Sequence, residues 1–207
     1  MKTSILPARL EGEEEEPGEI KETKKGDDAL MEKFLKTRTI LLTGEIDKDS
    51  GERVIRQLLL LESISDAPVT IMIDSPGGDV DAGFAIFDMI RFIRNEVRIV
   101  GMGLVASAGA LVLLAVPRDR RFGLPNSHYL IHQPLSGIRG VATEIEIHAR
   151  ELEKTRERIN RIIAEETGQL LERVVKDTDR DYWMNSEEAR EYGLLSKIVS
   201  FRADLPI

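Results

Sequence analysis

Continuous apolar runs alternate with amphipathic segments along the first half of this chain. The predicted strands cover residues 39–43, 69–74 and 97–102, and the predicted helices cover residues 50–62, 81–93 and 106–116. Strands that are apolar along their whole length are typical of a parallel sheet with both faces buried. Strands that alternate with helices indicate an α/β fold. The sequence therefore predicts a buried, largely parallel sheet covered by helices.

Shorter elements follow in the second half of the chain. We expect strands near residues 121–124 and 128–131 and a last strand within residues 194–201. A long helix is predicted over residues 141–168, because apolar residues recur there every three or four positions and Gly168 can end it. Its length suits a helix that leaves its own domain to pack on a partner.

Composition excludes several classes of function. The 207 residues fit one domain with a sizeable core, and the formal net charge of −8 argues against nucleic acid as a partner. The chain has no cysteine, so it forms neither disulfides nor thiolate metal sites. No apolar run approaches the roughly 18–20 residues that a membrane helix needs. We therefore expect a cytoplasmic protein that contacts no membrane.

The beginning of the chain differs in composition from the rest. Residues 11–28 contain nine acidic and three basic residues, a net charge of −6. A segment with so many like charges and so few apolar residues cannot bury a core. We predict that residues 1–28 are disordered and that residues 29–207 form the folded domain.

A serine flanked by small residues lies where the third strand gives way to a helix, in the sequence G-L-V-A-S-A-G-A of residues 103–110. Small neighbours leave room for a substrate carbonyl to approach the Ser107 hydroxyl. The first amides of a helix lack intrahelical acceptors, so the Ala108 N–H is free to stabilise an oxyanion. However, small residues around a serine more often mark a tight packing point, and Val105 replaces the first glycine of a G-x-S-x-G elbow.

A nucleophilic serine needs a base, and histidine is the usual one. Of the three histidines, His132 ends a short apolar strand just before Pro134. Loops after strands commonly present catalytic groups, although a strand-end histidine bonded to the backbone is an equally open interpretation. His128 follows a turn pair and His148 lies in a polar-rich helix, so we expect both at the surface.

Candidates for an acid that orients the base cluster in residues 177–184, where Asp177, Asp179 and Asp181 occupy alternate positions. Alternate carboxylates also suggest calcium, but Tyr182 stands where a calcium-binding loop needs glycine. Two interpretations remain open: a solvated acidic turn, and an aspartate that binds the far nitrogen of a histidine.

Two glycines follow the second strand, in the sequence S-P-G-G-D of residues 75–79. Paired glycines let a backbone approach a ligand closely and can point an N–H outward. A plain turn is the alternative. If the turn lies beside the serine, the Gly78 N–H provides a second donor for an oxyanion.

Several motifs together resemble one known family. Six motifs are similar, in order and spacing, to those of the proteolytic subunit of the Clp ATP-dependent serine protease. They are S-P-G-G at 75–78, G-M-G at 101–103, A-S-A-G-A at 106–110, L-P-N-S at 124–127, I-H-Q-P at 131–134 and T-D-R-D at 178–181. The resemblance covers about residues 35–200. Agreement of several separate motifs makes chance similarity improbable.

This resemblance implies a site, residue by residue. Ser107 is the expected nucleophile, His132 the expected general base and acid, and Asp181, rather than the two preceding aspartates, the expected third member of the triad. The Gly78 and Ala108 N–H groups match the two amides of the family's oxyanion hole. The family usually has methionine directly after the nucleophile, but that role needs only a backbone N–H.

The resemblance also implies a crotonase-like spiral of βα units with a protruding handle over residues 134–168. A strand at 135–140 and the helix at 141–168 are expected to form this handle and to interleave two stacked seven-membered rings, a tetradecamer. Unfolded polypeptides are the implied substrates, and an AAA+ unfoldase ATPase is the implied partner. No metal or organic cofactor is implied. ATP is used by the partner, since this chain lacks a G-x-x-x-x-G-K-[ST] phosphate loop.

Two departures from the family pattern concern partners. The family commonly begins with a pore-lining segment, whereas this chain has its acidic residues 11–28.

The second departure concerns the family's pocket for a hydrophobic loop of the ATPase, which is lined partly by tyrosines on one strand. In this chain that strand carries Thr70 and Met72, and Phe92 remains at another matching position. Aromatic side chains supply much of an interface's anchoring energy, so we expect weaker docking of the usual loop.

The hypothesis from the sequence is a serine endopeptidase that hydrolyses unfolded proteins inside a ring-shaped compartment. Two alternatives remain open. A non-catalytic or weakly active structural subunit of a mixed ring has the same fold with a misaligned triad. An acyl-thioester hydratase or isomerase of the same fold uses paired amides without the serine, histidine and aspartate.

Overall fold

The computed structural model describes residues 33–205, so the segment 1–28 that is predicted to be disordered lies outside the described residues. The strands are β1 (Thr39–Thr43), β2 (Val69–Ser75), β3 (Val97–Ala106), β4 (Arg121–Gly123), β5 (His128–Ile131), β6 (Tyr182–Asn185) and β7 (Lys197–Ile198). The helices are α1 (Lys48–Ile64), α2 (Val80–Phe92), α3 (Ala108–Leu113), α4 (Ala142–Thr167), α5 (Leu171–Asp177) and α6 (Ser186–Tyr192). Within residues 33–205, no helix combines the length and the apolar composition that crossing a membrane requires.

One seven-stranded sheet organises the fold. β1, β2, β3, β4 and β7 lie side by side in that order and run parallel to each other. Besides β2, the long strand β3 pairs with two strands at different points along its length. β4 pairs with residues 99–101 of β3, and β5 pairs with residues 104–106. β6 joins β5 in the antiparallel direction. The prediction of an α/β fold with a largely parallel sheet is confirmed.

β3 runs to Ala106, four residues beyond its predicted end at residue 102. The strand continues because its last residues find backbone partners in β5. Gly103, with a φ of 55°, lies where the register between β2 and β3 shifts, so the strand bends without ending. α3 is correspondingly shorter than the predicted 106–116: it begins after the extended strand and ends at Leu113.

The core lies between the sheet and the apolar stripes of α1 and α2. The buried side chains include Val54, Leu58 and Leu61 of α1, Phe84, Ile86, Phe87 and Ile90 of α2, and Ile40, Leu42, Ile71, Ile73 and Ile99 of the strands. Burial of one such side chain contributes about 1.5–3 kcal/mol. The whole of α3 is also buried, so the segment that follows β3 is held on all sides.

The long helix α4 agrees with the predicted helix at 141–168 and ends at Gly168, whose φ of 76° is left-handed. Its buried residues all lie in its second half: Ile159, Asn160, Ile163 and Thr167. The first half carries exposed apolar side chains at Ile145 and Ile147. α4 is therefore anchored to the domain by its second half only.

Residues 135–140, the predicted handle strand, form no strand within the single chain, and their expected pairing with a second ring stays a prediction. Leu135 is 80% exposed, and no described residue pairs with this segment. A strand needs a partner for its backbone N–H and C=O groups, and one chain supplies none here. The predicted last strand at 194–201 is reduced to β7 for a related reason, because only Lys197 and Ile198 pair with β4.

A buried arginine joins the end of α4 to the sheet. Arg121, at the start of β4, has no exposed surface. Its guanidinium donates to the Val116 carbonyl at 2.7 Å and to the Glu166 carbonyl at 2.8 Å, and it also pairs with the Glu166 carboxylate. Burial lowers the pKa of Arg121, and the negative charge of Glu166 opposes that effect. The carboxylate thus compensates a charge that the interior would otherwise disfavour.

Glu166→Ala is expected to lower the free energy of unfolding by about 3 kcal/mol, because it leaves the buried Arg121 charge without its partner. Chemical denaturation of the purified protein measures the change. Glu52→Ala is the matched control: Glu52 pairs with Arg56 on the surface of α1, and loss of such a pair costs about 1 kcal/mol or less. Equal effects of the two substitutions would contradict the prediction.

Candidate active site

Ser107 lies at the junction of β3 and α3 in a backbone conformation that few non-glycine residues adopt. Its φ is 54° and its ψ is −120°. Such a conformation costs about 1–3 kcal/mol and persists only where the surroundings impose it. The Ser107 N–H donates to the Leu130 carbonyl of β5 at 3.0 Å, which helps to hold the turn. Strained residues of this kind cluster at functional sites.

His132 is brought to Ser107 by the pairing of two parallel strands. Ala106 and Leu130 are partners in β3 and β5, so the residues that follow these strands lie close together. The His132 Nε2 lies 2.8 Å from the Ser107 Oγ, which is hydrogen-bond distance. The His132 side chain is 16% exposed, so it is largely shielded and still open to one side.

Asp181 is brought to His132 by an antiparallel pairing. Ile131 and Tyr182 are partners in β5 and β6, so the residue after the first faces the residue before the second. The Asp181 Oδ1 lies 3.0 Å from the His132 Nδ1. A carboxylate can only accept, so Nδ1 carries the hydrogen and leaves Nε2 to accept from the serine hydroxyl. The three side chains form one continuous hydrogen-bonded series.

The two other aspartates of this segment have different partners. Asp177 accepts a hydrogen bond from the Tyr192 hydroxyl at 3.1 Å. Burial, together with the charge of Asp177, raises the pKa of Tyr192. Asp179 faces Arg156 of α4 at 3.5 Å. Within residues 33–205, no group of three or more His, Asp or Glu side chains is arranged to hold a metal ion.

The other two histidines lie at or near the surface, as expected. His128 is exposed on β5, and His148 is partly exposed on α4. The His148 Nε2 lies 2.7 Å from the Ser136 Oγ, a second serine–histidine pair that no sequence pattern indicates. In the part of the chain that the structure describes, no carboxylate contacts His148. This pair therefore lacks the acid that a triad requires.

Two backbone N–H groups near Ser107 have no acceptor. Neither the Gly78 N–H nor the Ala108 N–H donates to another residue in the described range 33–205. The glycine turn lies directly against the serine, because a Cβ at Gly77 would be 2.6 Å from the Ser107 Cβ and 2.8 Å from the Ala106 carbonyl oxygen. Two unsatisfied donors beside a polarised hydroxyl make a site suited to a negatively charged oxygen.

An apolar recess opens beside the Ser107 hydroxyl. Its apolar lining consists of Val80, Ala108, Ala110, Leu111, Ile131, Pro134, Ile159 and Ile163. Ile159 and Ile163 belong to α4, so the long helix forms one wall of the recess. The spacing of four residues in the sequence indicates that both lie on one face of a helix. The sequence does not indicate that this face lines the site. The recess places an apolar surface next to the serine.

A buried polar contact ties the segment before Asp181 to α4. The Thr178 hydroxyl donates to the Asn160 Oδ1 at 2.8 Å, and both residues are buried. On the other side, the Gln133 N–H donates to the Thr178 carbonyl at 2.7 Å. These supports were not predicted. The one signal for them in the sequence is a polar residue, Asn160, on the apolar face of a helix.

Comparisons with known proteins show the family of this chain. Residues 22–202 match a family model described as Clp protease. ATP-dependent Clp protease proteolytic subunit 2 of Treponema denticola is 66% identical over 181 residues, which cover 87% of this chain and 90% of that protein. ATP-dependent Clp protease proteolytic subunit 3 of Rhizobium etli is 48% identical over 193 residues, which cover 93% of this chain and 99% of that protein.

A solved structure shows the same architecture. A ClpP1 mutant from Listeria monocytogenes is 51% identical in sequence and superposes with a TM-score of 0.79, covering 84% of this chain and 98% of that chain. The observed arrangement of sheet and helices is thus the crotonase-like fold that the sequence predicts.

Proposed function

The chain belongs to the Clp protease family and is a serine peptidase of that family, and we propose that it cleaves peptide bonds through an acyl-enzyme on Ser107. One observation carries the proposal: the hydrogen-bonded series from Ser107 through His132 to Asp181, at 2.8 Å and 3.0 Å. An ordinary packing serine needs no such series. An acyl-thioester hydratase or isomerase needs none either.

In the first step, the Ser107 Oγ attacks the carbonyl carbon of the substrate while the His132 Nε2 takes its proton. The Asp181 carboxylate keeps the imidazole oriented and stabilises its positive charge. The carbonyl oxygen becomes negatively charged, and the Gly78 and Ala108 N–H groups donate to it. In other serine hydrolases, loss of one such donor costs about 10²–10³ in kcat.

The second half of the reaction reverses the direction of proton transfer. The His132 imidazolium gives its proton to the leaving amine as the C–N bond breaks, which leaves an ester on Ser107. Water then attacks the ester with His132 as the base, and the carboxylic acid product departs as the serine recovers its proton. The proposed reaction uses no metal or organic cofactor.

The recess beside Ser107 indicates which peptide bonds are cleaved. Apart from Ser107 and His132 its lining residues are apolar, and no Asp, Glu, Lys or Arg is among them to pair with a substrate charge. We therefore infer that the residue before the cleaved bond is apolar. A charged side chain would lose its hydration there without gaining a partner.

We also propose that the chain works in a double ring of fourteen copies. Exposed apolar side chains along the handle, residues 134–168, support this: Leu135, Val141, Ile145 and Ile147 are 80%, 65%, 43% and 56% exposed. A second ring would cover them. It would also supply the backbone partner that the segment 135–140 lacks within one chain. A closed compartment restricts cleavage to chains that enter it unfolded.

The proposed partner is an AAA+ unfoldase that hydrolyses ATP and feeds unfolded polypeptides to this subunit. A mainly apolar pocket on one face of the sheet supports a docking site, with Thr70 and Met72 on its wall together with Val100 and Leu124. The relatives' names include the words ATP-dependent. Met72 can adapt its shape to a ligand, although it provides less rigid contact area than an aromatic ring.

A fluorophosphonate probe is expected to label the wild-type protein at Ser107 and to leave Ser107→Ala unlabelled, because Ser107 is the one serine within residues 33–205 that is bonded to an aspartate-bound histidine. Mass spectrometry of the labelled peptide identifies the site. Ser136→Ala is the matched control: Ser136 also lies 2.7 Å from a histidine, but within the described residues that histidine has no carboxylate partner, so labelling persists. An assembled protein that takes up no label would favour the non-catalytic ring subunit.

Peptides that differ only in the residue before the cleaved bond test the inferred specificity. We expect kcat/KM for leucine or methionine at that position to exceed the value for aspartate or lysine about tenfold or more, because the recess offers no counter-charge. Fluorogenic peptides measure the rates. Equal rates across the series, or a preference for a charged residue, would overturn the assignment of this recess.

Ile147→Asp is expected to convert a fourteen-subunit particle into single rings or smaller species, because it introduces a charge into the proposed ring–ring contact. Light scattering coupled to size-exclusion chromatography measures the mass. Val175→Asp is the matched control, an exposed apolar residue on α5 outside the handle, and it should leave the mass unchanged. A wild-type monomer, or a variant with unchanged mass, would count against the proposed assembly.

A further inference from the structure

The Gly77–Gly78 peptide is held from one side by a single buried residue. The Ile46 N–H donates to the Gly77 carbonyl at 2.8 Å, and the Asp79 N–H donates to the Ile46 carbonyl at 2.7 Å. Ile46 lies between β1 and α1 and has no exposed surface. In a planar trans amide the C=O and N–H point in opposite directions. The Gly78 N–H therefore points away from Ile46.

The preceding peptide is held by a serine side chain. The Gly77 N–H donates to the Ser75 Oγ at 3.1 Å, and Ser75 is completely buried. Two successive peptide planes are thus fixed, one by the Ser75 hydroxyl and one by the Ile46 backbone. Without both contacts, glycines at φ values of 95° and 144° would have many other conformations to adopt.

Ser75 also lies against the helix that carries the second free amide. A Cβ at Gly109 would be 3.3 Å from the Ser75 carbonyl oxygen and 3.7 Å from its Oγ. Gly109 directly follows Ala108 in the first turn of α3. Ser75 therefore bonds to the glycine turn and lies beside the start of α3, the two structures that supply an unpaired N–H.

We propose that Ser75 is a positioning residue that holds the Gly78 N–H in the direction needed to stabilise the oxyanion. This inference rests on the proposed peptidase function. Rotation of the Gly77–Gly78 peptide would turn the Gly77 carbonyl oxygen toward the site and remove the donor. The Ile46 N–H opposes that rotation directly, and the Ser75 bond fixes the preceding peptide, so that Gly77 stays where its carbonyl can accept from Ile46. Ser75 acts only through the glycine turn and does not itself contact substrate.

This role predicts a specific kinetic signature. An oxyanion donor stabilises the transition state more than the bound substrate, so its misplacement lowers kcat and leaves KM unchanged. A peptide boronate, which forms a tetrahedral adduct on the serine, should lose affinity in parallel with kcat/KM. General damage to the fold would instead lower the melting temperature, raise KM or reduce the active fraction.

The experiment compares Ser75→Ala with Ser127→Ala in the full-length protein. Ser127 is also buried, but its hydroxyl bonds to the Leu124 carbonyl and the Tyr129 hydroxyl, away from the glycine turn. We expect Ser75→Ala to lower kcat and boronate affinity about tenfold to a hundredfold, with KM within about twofold. Ser127→Ala should keep kcat within about twofold. Melting temperatures of both variants report the loss of stability.

The outcomes separate this inference from the proposed function. A wild-type protein that neither cleaves peptides nor reacts with the fluorophosphonate overturns the peptidase function and this inference with it. An active wild type with an equally active Ser75→Ala overturns only the positioning role. The same result follows if Ser75→Ala loses activity only in step with its melting temperature, as any buried serine would. Ser75→Cys, whose thiol is a weak acceptor, should lie between wild type and Ser75→Ala in kcat.

Discussion

The register of β5 against its two neighbours is the constraint on which the candidate site depends. On one side β5 pairs in parallel with the end of β3, and on the other it pairs antiparallel with β6. The first pairing sets Ser107 beside His132, and the second sets Asp181 beside His132. A slip of one residue in either pairing would turn the side chains of that strand to the opposite face. The short β5 therefore determines the distances on both sides of the histidine.

The surroundings of Ser107 impose its strained conformation. Its N–H is bound by β5, a glycine without a side chain lies against its Cβ, and the helix that follows is buried along its whole length. Burial of one leucine side chain of α3 contributes about 1.5–3 kcal/mol, which is of the same size as the roughly 1–3 kcal/mol that the backbone strain costs. Larger residues in place of the small neighbours would not fit. The small-residue pattern in the sequence is thus both a packing feature and a condition for the site.

The sequence predicts the parts of this structure that depend on local pattern. The strand and helix alternation, the long helix α4 and the motifs around Ser107 and His132 are of this kind. It does not predict features that need a register or a partner. From the residues alone, Asp177, Asp179 and Asp181 are equal candidates for the acid. The family resemblance points to Asp181, and in the structure the β5–β6 pairing places Asp181 beside His132. The extension of β3 depends on its pairing with β5. The segment 135–140 has the pattern of a strand without a neighbour to pair with in one chain.

α4 connects an exposed apolar surface with the wall of the recess beside Ser107. Its first half exposes apolar side chains, whereas its second half is fixed to β4 through Glu166 and Arg121 and forms a wall of the recess through Ile159 and Ile163. Asn160, between those two, also binds the segment that leads to Asp181. One helix thus carries both the exposed apolar side chains of the handle and the side chains that line the recess and support the segment before Asp181.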